Sequence, residues 1–169
     1  MFISGTRLPR ERIMAHVSDN SAWREPRNCI SYRLRRAARV TAKKFDDALR
    51  PLGIRNTQFT LLAALNKTGP ISIGALSDAL ATDSTTLNRN LEILSRREFV
   101  KDAPMKDGSS TDGRVRSIAL TGQGRAIYKQ ALPIWRATQT ELLAAVQGDR
   151  WGEIISELAE IEKASRSAP

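Results

Sequence analysis

Residues 72–100 read SIGALSDALATDSTTLNRNLEILSRREFV, and their pattern is the strongest indication of the fold. Ser72 can cap a short helix whose apolar residues recur at helical spacing. After a tight turn, Asp83 or Ser84 can cap a second helix. The apolar positions of this second helix are Leu87, Leu91 and Leu94. Two short helices joined by a tight turn predict a helix-turn-helix, and the second of them is the candidate recognition helix.

The period of the apolar pattern changes directly after this second helix. Residues 99–101 are typical of a strand, and residues 104–113 are polar and rich in turn formers. A second strand is indicated by Val115, Ile118 and Leu120. The pattern predicts a long β-hairpin with an extended tip, which is a wing. We therefore expect a winged helix-turn-helix over residues 55–120, in a fold that is mostly α with a small β-hairpin wing.

Longer helices flank this motif on both sides. Residues 29–50 form an amphipathic helix with a strongly basic face. Thr57 can cap the next helix, and Thr121 can cap a fifth helix after the wing. Pro133 lies inside that fifth helix and should kink it without necessarily ending it.

The flanking helices carry more apolar surface than so small a motif can cover. We predict that residues 29–50 and 121–169 are dimerisation helices, within one domain over residues 29–169. The alternative is that these helices pack back on their own domain. Residues 1–28 are polar and weakly periodic, and we expect a tail that is partly disordered or docks on the domain.

Composition narrows the class of function. The chain has 169 residues, and its 27 Lys and Arg exceed its 18 Asp and Glu, so the formal net charge is +9. This balance favours a polyanionic partner such as nucleic acid. A single Cys and a single His leave no disulfide framework, no Cys-based zinc site and little basis for a His-based triad. We expect no catalytic residue, cofactor or metal. No apolar run could span a membrane and no secretory signal is evident, so we expect a cytoplasmic protein.

The outward face of the candidate recognition helix carries side chains that suit a DNA groove. Hydroxyls bond phosphates or bases, Asn pairs with adenine edges and Arg with guanine edges. Cations at the hairpin tip can reach phosphates or an adjacent minor groove. The predicted DNA-binding residues are Ser84, Thr85, Thr86, Asn88, Arg89, Lys106, Arg114 and Arg116. The alternative is an ordinary solvated helix face, which shows the same residue types.

Five motifs, in this order and spacing, carry a resemblance to a known family. They are RNTQFTLL at 55–62, IGALSDAL at 73–80, STTLNR at 84–89, DGR at 112–114 and LTGQG at 120–124. From about Cys29 onward the chain resembles the MarR (multiple antibiotic resistance) family of regulators. The resemblance implies a homodimeric transcription factor that responds to a ligand or an oxidant. It also implies that Arg114 enters the minor groove and that Asp112 orients it through an ion pair, which adds Asp112 to the predicted site.

The chain departs from the family pattern in two places. The family usually has Gly after the recognition helix, where Gly permits a left-handed helix cap, and here Glu98 takes that position. Either Glu98 bears the cost of the left-handed conformation or the cap differs. The wing is also longer than the family pattern, with residues 108–110 inserted before Asp112.

The family implies an effector site between the dimerisation helices and the DNA-binding lobe. The candidates for this site are Tyr32, Arg36, Phe59, Tyr128 and Trp135. Arg36 could pair with the carboxylate of a small aromatic acid, and the rings could stack on it. The alternative is that the rings are plain core and that Arg36 is solvated.

Cys29 opens the first long helix, between Arg27 and Arg33. The positive end of a helix and two neighbouring cations favour the reactive thiolate. Some members of the family sense peroxide through one Cys near this place. Oxidation of Cys29 is therefore a hypothesis, and its alternative is a buried, inert thiol.

Three functions remain open at this stage. The first is a homodimeric repressor that binds a pseudo-palindromic operator in double-stranded DNA and is released by a small molecule. The second is a redox-sensing repressor that uses Cys29. The third is a basic winged-helix module that binds DNA without sequence choice, or binds other proteins.

Overall fold

A computed structural model describes residues 24–104, 117–145 and 150–166, and the chain divides into two units, residues 1–43 and 44–169. The elements follow the order that the sequence predicts. They are α1 (Ile30–Leu49), α2 (Asn56–Thr68), β1 (Ile71–Ser72), α3 (Ile73–Ala79), α4 (Ser84–Arg96), β2 (Val100–Asp102), β3 (Ser117–Leu120), α5 (Gly122–Ala144) and α6 (Trp151–Arg166). The fold is mostly helical with a small antiparallel sheet, and the predicted fold class is confirmed.

Short polar side chains begin the two helices of the helix-turn-helix, as predicted. Ser72 Oγ accepts the Ala75 N–H at 3.1 Å, and Asp83 Oδ1 accepts the Thr86 N–H at 2.8 Å. The backbone hydrogen bond from Thr86 is the main reason that the pKa of the Asp83 carboxyl is lowered. Of the two residues proposed as caps of α4, it is therefore Asp83 that caps the helix.

The sheet has one strand more than the predicted hairpin. β3 lies between β1 and β2 and pairs antiparallel with both, with Ile71 opposite Ile118 and Val100 opposite Leu120. Phe99, expected in the strand, instead lies in the connection from α4 to β2. Its N–H donates to Leu94 O at 2.9 Å and so belongs to the end of α4, whereas its carbonyl accepts from Thr121 N at 3.1 Å, the residue that follows β3.

The start of α2 differs from the prediction. Thr57 does not cap it, because the helix begins one residue earlier and its first N–H, that of Asn56, donates to Asp46 Oδ1 at 2.7 Å. The Arg55 N–H donates to Gln58 Oε1 at 3.0 Å. An acidic side chain of α1 thus helps to satisfy the α2 terminus, which leaves the Thr57 hydroxyl available for a different partner.

The fifth helix begins as predicted and continues past Pro133. Thr121 Oγ1 accepts the Gly124 N–H at 2.9 Å, and α5 then runs to Ala144. Gly124 is required by packing, because a Cβ there would lie 1.9 Å from the Phe99 carbonyl oxygen. The backbone of α5 therefore lies directly against the connection that leaves α4.

Burial is concentrated around the helix-turn-helix and the sheet. The residues that are essentially fully buried are Leu49, Ile54, Leu62, Leu65, Leu76, Leu87, Leu94 and Ile118. By contrast α6 has no buried residue, and every residue of α1 from Ile30 to Val40 is exposed. Among the described helices, none is long and apolar enough to cross a membrane.

Candidate nucleic-acid interface

Helix α4 separates an apolar side from a polar side. Leu87, Leu91 and Leu94 are at most 5% exposed and fix the helix in the core. The five predicted DNA-binding residues of this helix are all exposed, and they are Ser84, Thr85, Thr86, Asn88 and Arg89. Because the buried leucines determine the rotation of the helix about its axis, the polar side is presented to solvent in one orientation.

Three of these five residues line one groove. The groove has a volume of about 680 Å³ and runs along α4 to β3, where it includes Ile118. Its lining from α4 consists of Thr85, Asn88, Arg89, Leu91, Glu92, Ser95 and Arg96. Arg96 is held by an ion pair with Glu92, one turn earlier in α4. Thr85, Asn88 and Arg89 thus combine a hydroxyl, an amide and a guanidinium on one concave surface, which is the chemistry that reads base edges.

Thr86 lies on a different side of α4. It lines a pocket of about 140 Å³ between α2, the turn before α4 and α4 itself. Asn90 donates from Nδ2 to the Thr86 carbonyl at 2.9 Å and accepts from the Thr57 hydroxyl at 3.3 Å. The other residues of this lining are Asn56, Thr60, Leu61, Leu80, Thr82 and Leu87. Sequence reasoning missed this pocket, because it joins residues more than twenty positions apart and no local pattern marks it.

The predicted wing residues Lys106, Asp112, Arg114 and Arg116 lie outside the residues that the structure describes. The strands that lead to them are described. Asp102 is paired with Ile118, and the Ala103 N–H donates to Ser117 O at 3.1 Å. The wing therefore leaves the sheet from paired strands, which fixes the two points from which the connecting segment starts and ends.

Three of the five candidate effector residues form one aromatic stack. The Phe59 ring centroid lies 5.7 Å from that of Tyr128 and 5.6 Å from that of Trp135, and Trp135 continues the stack to Phe45 at 6.1 Å. Phe59 is 3% exposed and belongs to the core. Two rings pack against Phe59, so a ligand could stack on it only after those rings separate.

The remaining candidate residues lie on or next to the first part of α1. Tyr32 and Arg36 are exposed. Cys29 immediately precedes α1 and is also exposed, so the alternative of a buried thiol is wrong. Within the described ranges, no group of three or more His, Cys, Asp or Glu could hold a metal ion.

The expected departure at Glu98 is visible in the backbone. Glu98 adopts φ 56°, the left-handed conformation that favours Gly, although it carries a Cβ. Its N–H donates to Ser95 O at 2.8 Å, and its carbonyl accepts from the Thr121 hydroxyl at 2.6 Å. These contacts hold a strained residue directly after the recognition helix.

Comparisons with known proteins agree with this architecture. No family model matches the chain. The crystal structure of the Mycobacterium tuberculosis transcriptional regulator MosR is 34% identical, has a TM-score of 0.71 and matches 83% of this chain and 97% of its own. A structure of MosR in complex with DNA is 36% identical, has a TM-score of 0.67 and matches 82% of this chain and 99% of its own.

A second mycobacterial protein is also similar. The HTH-type transcriptional repressor Rv2887 of Mycobacterium tuberculosis is 29% identical over 115 residues, which are 68% of this chain and 80% of the repressor. The structure of this MarR family protein in complex with salicylic acid has a TM-score of 0.58 and is 26% identical, matching 76% of this chain and 95% of its own.

Proposed function

Since the chain belongs to the MarR family of winged-helix transcriptional regulators, we propose that it represses transcription as a homodimer bound to a pseudo-palindromic operator. The observation that carries this proposal is the groove along α4, where Thr85, Asn88 and Arg89 lie together on a helix fixed by buried leucines. A relative with 36% identity has been solved in complex with DNA, which supports the same partner here.

Asn88 and Arg89 are the residues that we propose read the bases. An Asn amide pairs bidentately with adenine and an Arg guanidinium with guanine in the major groove. We propose that Ser84 and Thr85, near the N-terminus of α4, contact phosphates, which the positive end of the helix favours. In the wing, we propose that Arg114 enters the minor groove, oriented by Asp112, and that Lys106 and Arg116 bind phosphates.

The proposed homodimer is supported by the apolar side chains that the chain leaves exposed. Ile30 is 55% exposed and Val40 65% exposed on α1, and Ile155 is 49% exposed on α6. Partner helices are the usual way to cover such surfaces. We therefore propose that residues 29–50 and 121–169 supply the dimer contacts. A two-fold dimer carries two recognition helices, and these match the two halves of a pseudo-palindromic site.

We propose that a small aromatic acid releases the operator. The support is the relative that binds salicylic acid. Tyr32 and Arg36 are exposed on α1 and stay candidates for the ligand site, together with Phe59, Tyr128 and Trp135. Because Phe59 is already packed between rings, a ligand at that stack would have to displace core contacts, and this displacement could carry the signal to α2.

Peroxide is the alternative effector. The exposure of Cys29 favours this alternative, since an oxidant must reach the thiol. Peroxide should then release the DNA from the wild-type protein and leave Cys29→Ser bound. A response of both proteins to an aromatic acid, with no response to peroxide, would select the first mechanism.

The test of the proposed function is DNA binding at fixed salt. Fluorescence anisotropy would compare a duplex from upstream of the protein's own gene with a scrambled duplex. We expect a clear preference for the first, which Arg89→Ala reduces by about tenfold. Equal affinity for every duplex, including those selected from a random pool, would favour the non-specific alternative.

A further inference from the structure

Residues 97–99 follow the recognition helix directly, and we call them the joint. Arg97 is the C-cap of α4, and its side chain leaves the helix towards the connection between α1 and α2. Its Nη1 donates to the Gly53 carbonyl at 2.5 Å, and its Nη2 lies 3.4 Å from the Leu52 carbonyl. One guanidinium therefore links the end of the recognition helix to a turn 44 positions earlier in the chain.

The position of this guanidinium is also defined by its contact with an aromatic ring. Its Cζ lies 4.6 Å from the centroid of the buried Phe99 ring. The backbone of Gly53 is also close, because a Cβ added to Gly53 would lie 3.4 Å from Nη2, and Gly53 itself adopts φ 66°. A planar, delocalised cation can lie over a ring and donate to backbone carbonyls at the same time, whereas the compact ammonium of Lys cannot stack in this way.

The other residues of the joint are bonded to the start of α5. The Phe99 carbonyl accepts from the Thr121 N–H at 3.1 Å, and the Glu98 carbonyl accepts from the Thr121 hydroxyl at 2.6 Å. Gly124 packs against the Phe99 carbonyl so closely that a Cβ could not be placed there. The end of α4 is thus held by the turn after α1 on one side and by the first turn of α5 on the other.

We infer that Arg97 is a positioning residue that fixes the orientation of the recognition helix relative to the end of α1 and the start of α5. This inference rests on the proposed function, in which α1 and α5 belong to the dimer. Through the joint, the dimer helices set the separation of the two recognition helices, and hence the half-site spacing that the protein accepts. Arg97 supports α4 at its end and leaves base contact to the groove residues.

The first test measures how strongly the joint is protected from hydrogen exchange in the free protein, and it needs no DNA. Hydrogen–deuterium exchange would be compared between the wild type, Arg97→Ala, Arg97→Lys and the control Arg50→Ala. Arg50 lies in the same turn as Gly53 and pairs with Asp47, so its replacement removes the same charge without touching the joint. We expect Arg97→Ala to speed exchange about tenfold in peptides covering residues 50–56 and 95–101, and not in peptides covering 60–65.

The second test measures half-site spacing. A pseudo-palindromic duplex selected by the wild-type protein from a random pool would be lengthened or shortened at its centre by one base pair at a time. The wild type should show a sharp optimum. Arg97→Ala should bind the optimal duplex about tenfold more weakly and lose most of the discrimination between spacings. Arg97→Lys should keep only part of the affinity and of the discrimination between spacings. Lys can donate a hydrogen bond, but its ammonium is not planar and cannot stack on the Phe99 ring.

The outcomes distinguish the positioning role of Arg97 from the proposed DNA-binding function. If Arg97→Ala exchanges like Arg50→Ala, or if its exchange changes while its spacing profile stays that of the wild type, Arg97 does not position α4. If the wild type selects no duplex, the proposed function fails, and the exchange experiment alone decides whether the joint restrains the recognition helix. Thermal unfolding of each variant would set a common temperature at which all are folded, so that loss of the fold is not read as loss of positioning.

Discussion

Helices α4 and α6 are both amphipathic, and they differ in what covers their apolar side. In α4 the three leucines are at most 5% exposed, whereas α6 has no buried residue and leaves Ile155 49% exposed. Periodicity alone predicts an apolar side for both helices and does not say what covers it. The difference shows that the described residues cover the apolar side of α4, whereas they leave the apolar side of α6 partly exposed.

The largest effect on stability is expected from the buried leucines of α4. Leu94→Ala should lower the free energy of unfolding by about 2–5 kcal/mol, because it leaves a cavity in a fully enclosed site. Urea unfolding followed by circular dichroism would measure the loss. A loss below about 1 kcal/mol would mean that the core around α4 relaxes freely, and the contrast with α6 would disappear.

The next largest effect is expected on dimerisation, from a charge placed on the apolar side of α6. Ile155→Glu should weaken dimerisation by tenfold or more, on the order of 1.4 kcal/mol, since a carboxylate would be buried between subunits. Sedimentation equilibrium would measure this loss. Ser156→Glu is the matched control. Ser156 is exposed and lies off the apolar side of α6, so this substitution adds the same charge away from that side. Equal dimer affinity in the two variants would show that α6 is not in the interface.

A smaller gain in stability is expected at the joint. Glu98→Gly should raise the free energy of unfolding by about 1 kcal/mol, because Gly removes the cost of a left-handed residue although it loosens the unfolded chain. Glu98→Ala keeps the Cβ and should gain nothing. If both variants gain equally, the benefit comes from losing the carboxylate and not from the backbone.

The smallest effect concerns the cap of α4. The pKa of Asp83 is lowered in the folded chain, mainly by the backbone hydrogen bond from Thr86. The stabilisation that the Asp83 carboxylate gives to the folded chain is therefore fully present above the pKa that Asp83 has in the unfolded state. It is lost as the pH falls through the lower pKa of the folded state. Asp83→Asn should remove the part of the loss of folding stability at low pH that comes from protonation of Asp83. An NMR titration of the Asp83 carboxyl would check the direction, and a value at or above that of a free Asp would contradict it.

Much of this architecture could be predicted because its determinants are local. The caps at Ser72, Asp83 and Thr121 involve acceptors and donors three residues apart, and short sequence windows contain such pairs. The family pattern likewise singled out Glu98 but left open whether Glu adopts the left-handed conformation or the helix ends differently, and the first of these holds. Helix order, the turn and the polar side of α4 followed from the same local signals.

What the sequence did not predict depends on residues far apart in the chain. Asp46 satisfies the N–H of Asn56, ten positions away, and β1 joins the sheet by pairing with Ile118. The bonds from Arg97 to the turn at Gly53 span 44 positions. Such contacts arise from how the helices pack, and no pattern within a single helix specifies them.

Base reading by α4 is tested by the effect of Asn88→Ala on the preference for operator DNA and on the salt dependence of binding. Asn88 is uncharged, so its loss cannot change the number of phosphates that the protein neutralises. We predict that the preference for operator over scrambled duplex falls by about tenfold while the slope of log K against log salt stays that of the wild type. An unchanged preference, or a changed slope, would contradict base reading by the groove along α4.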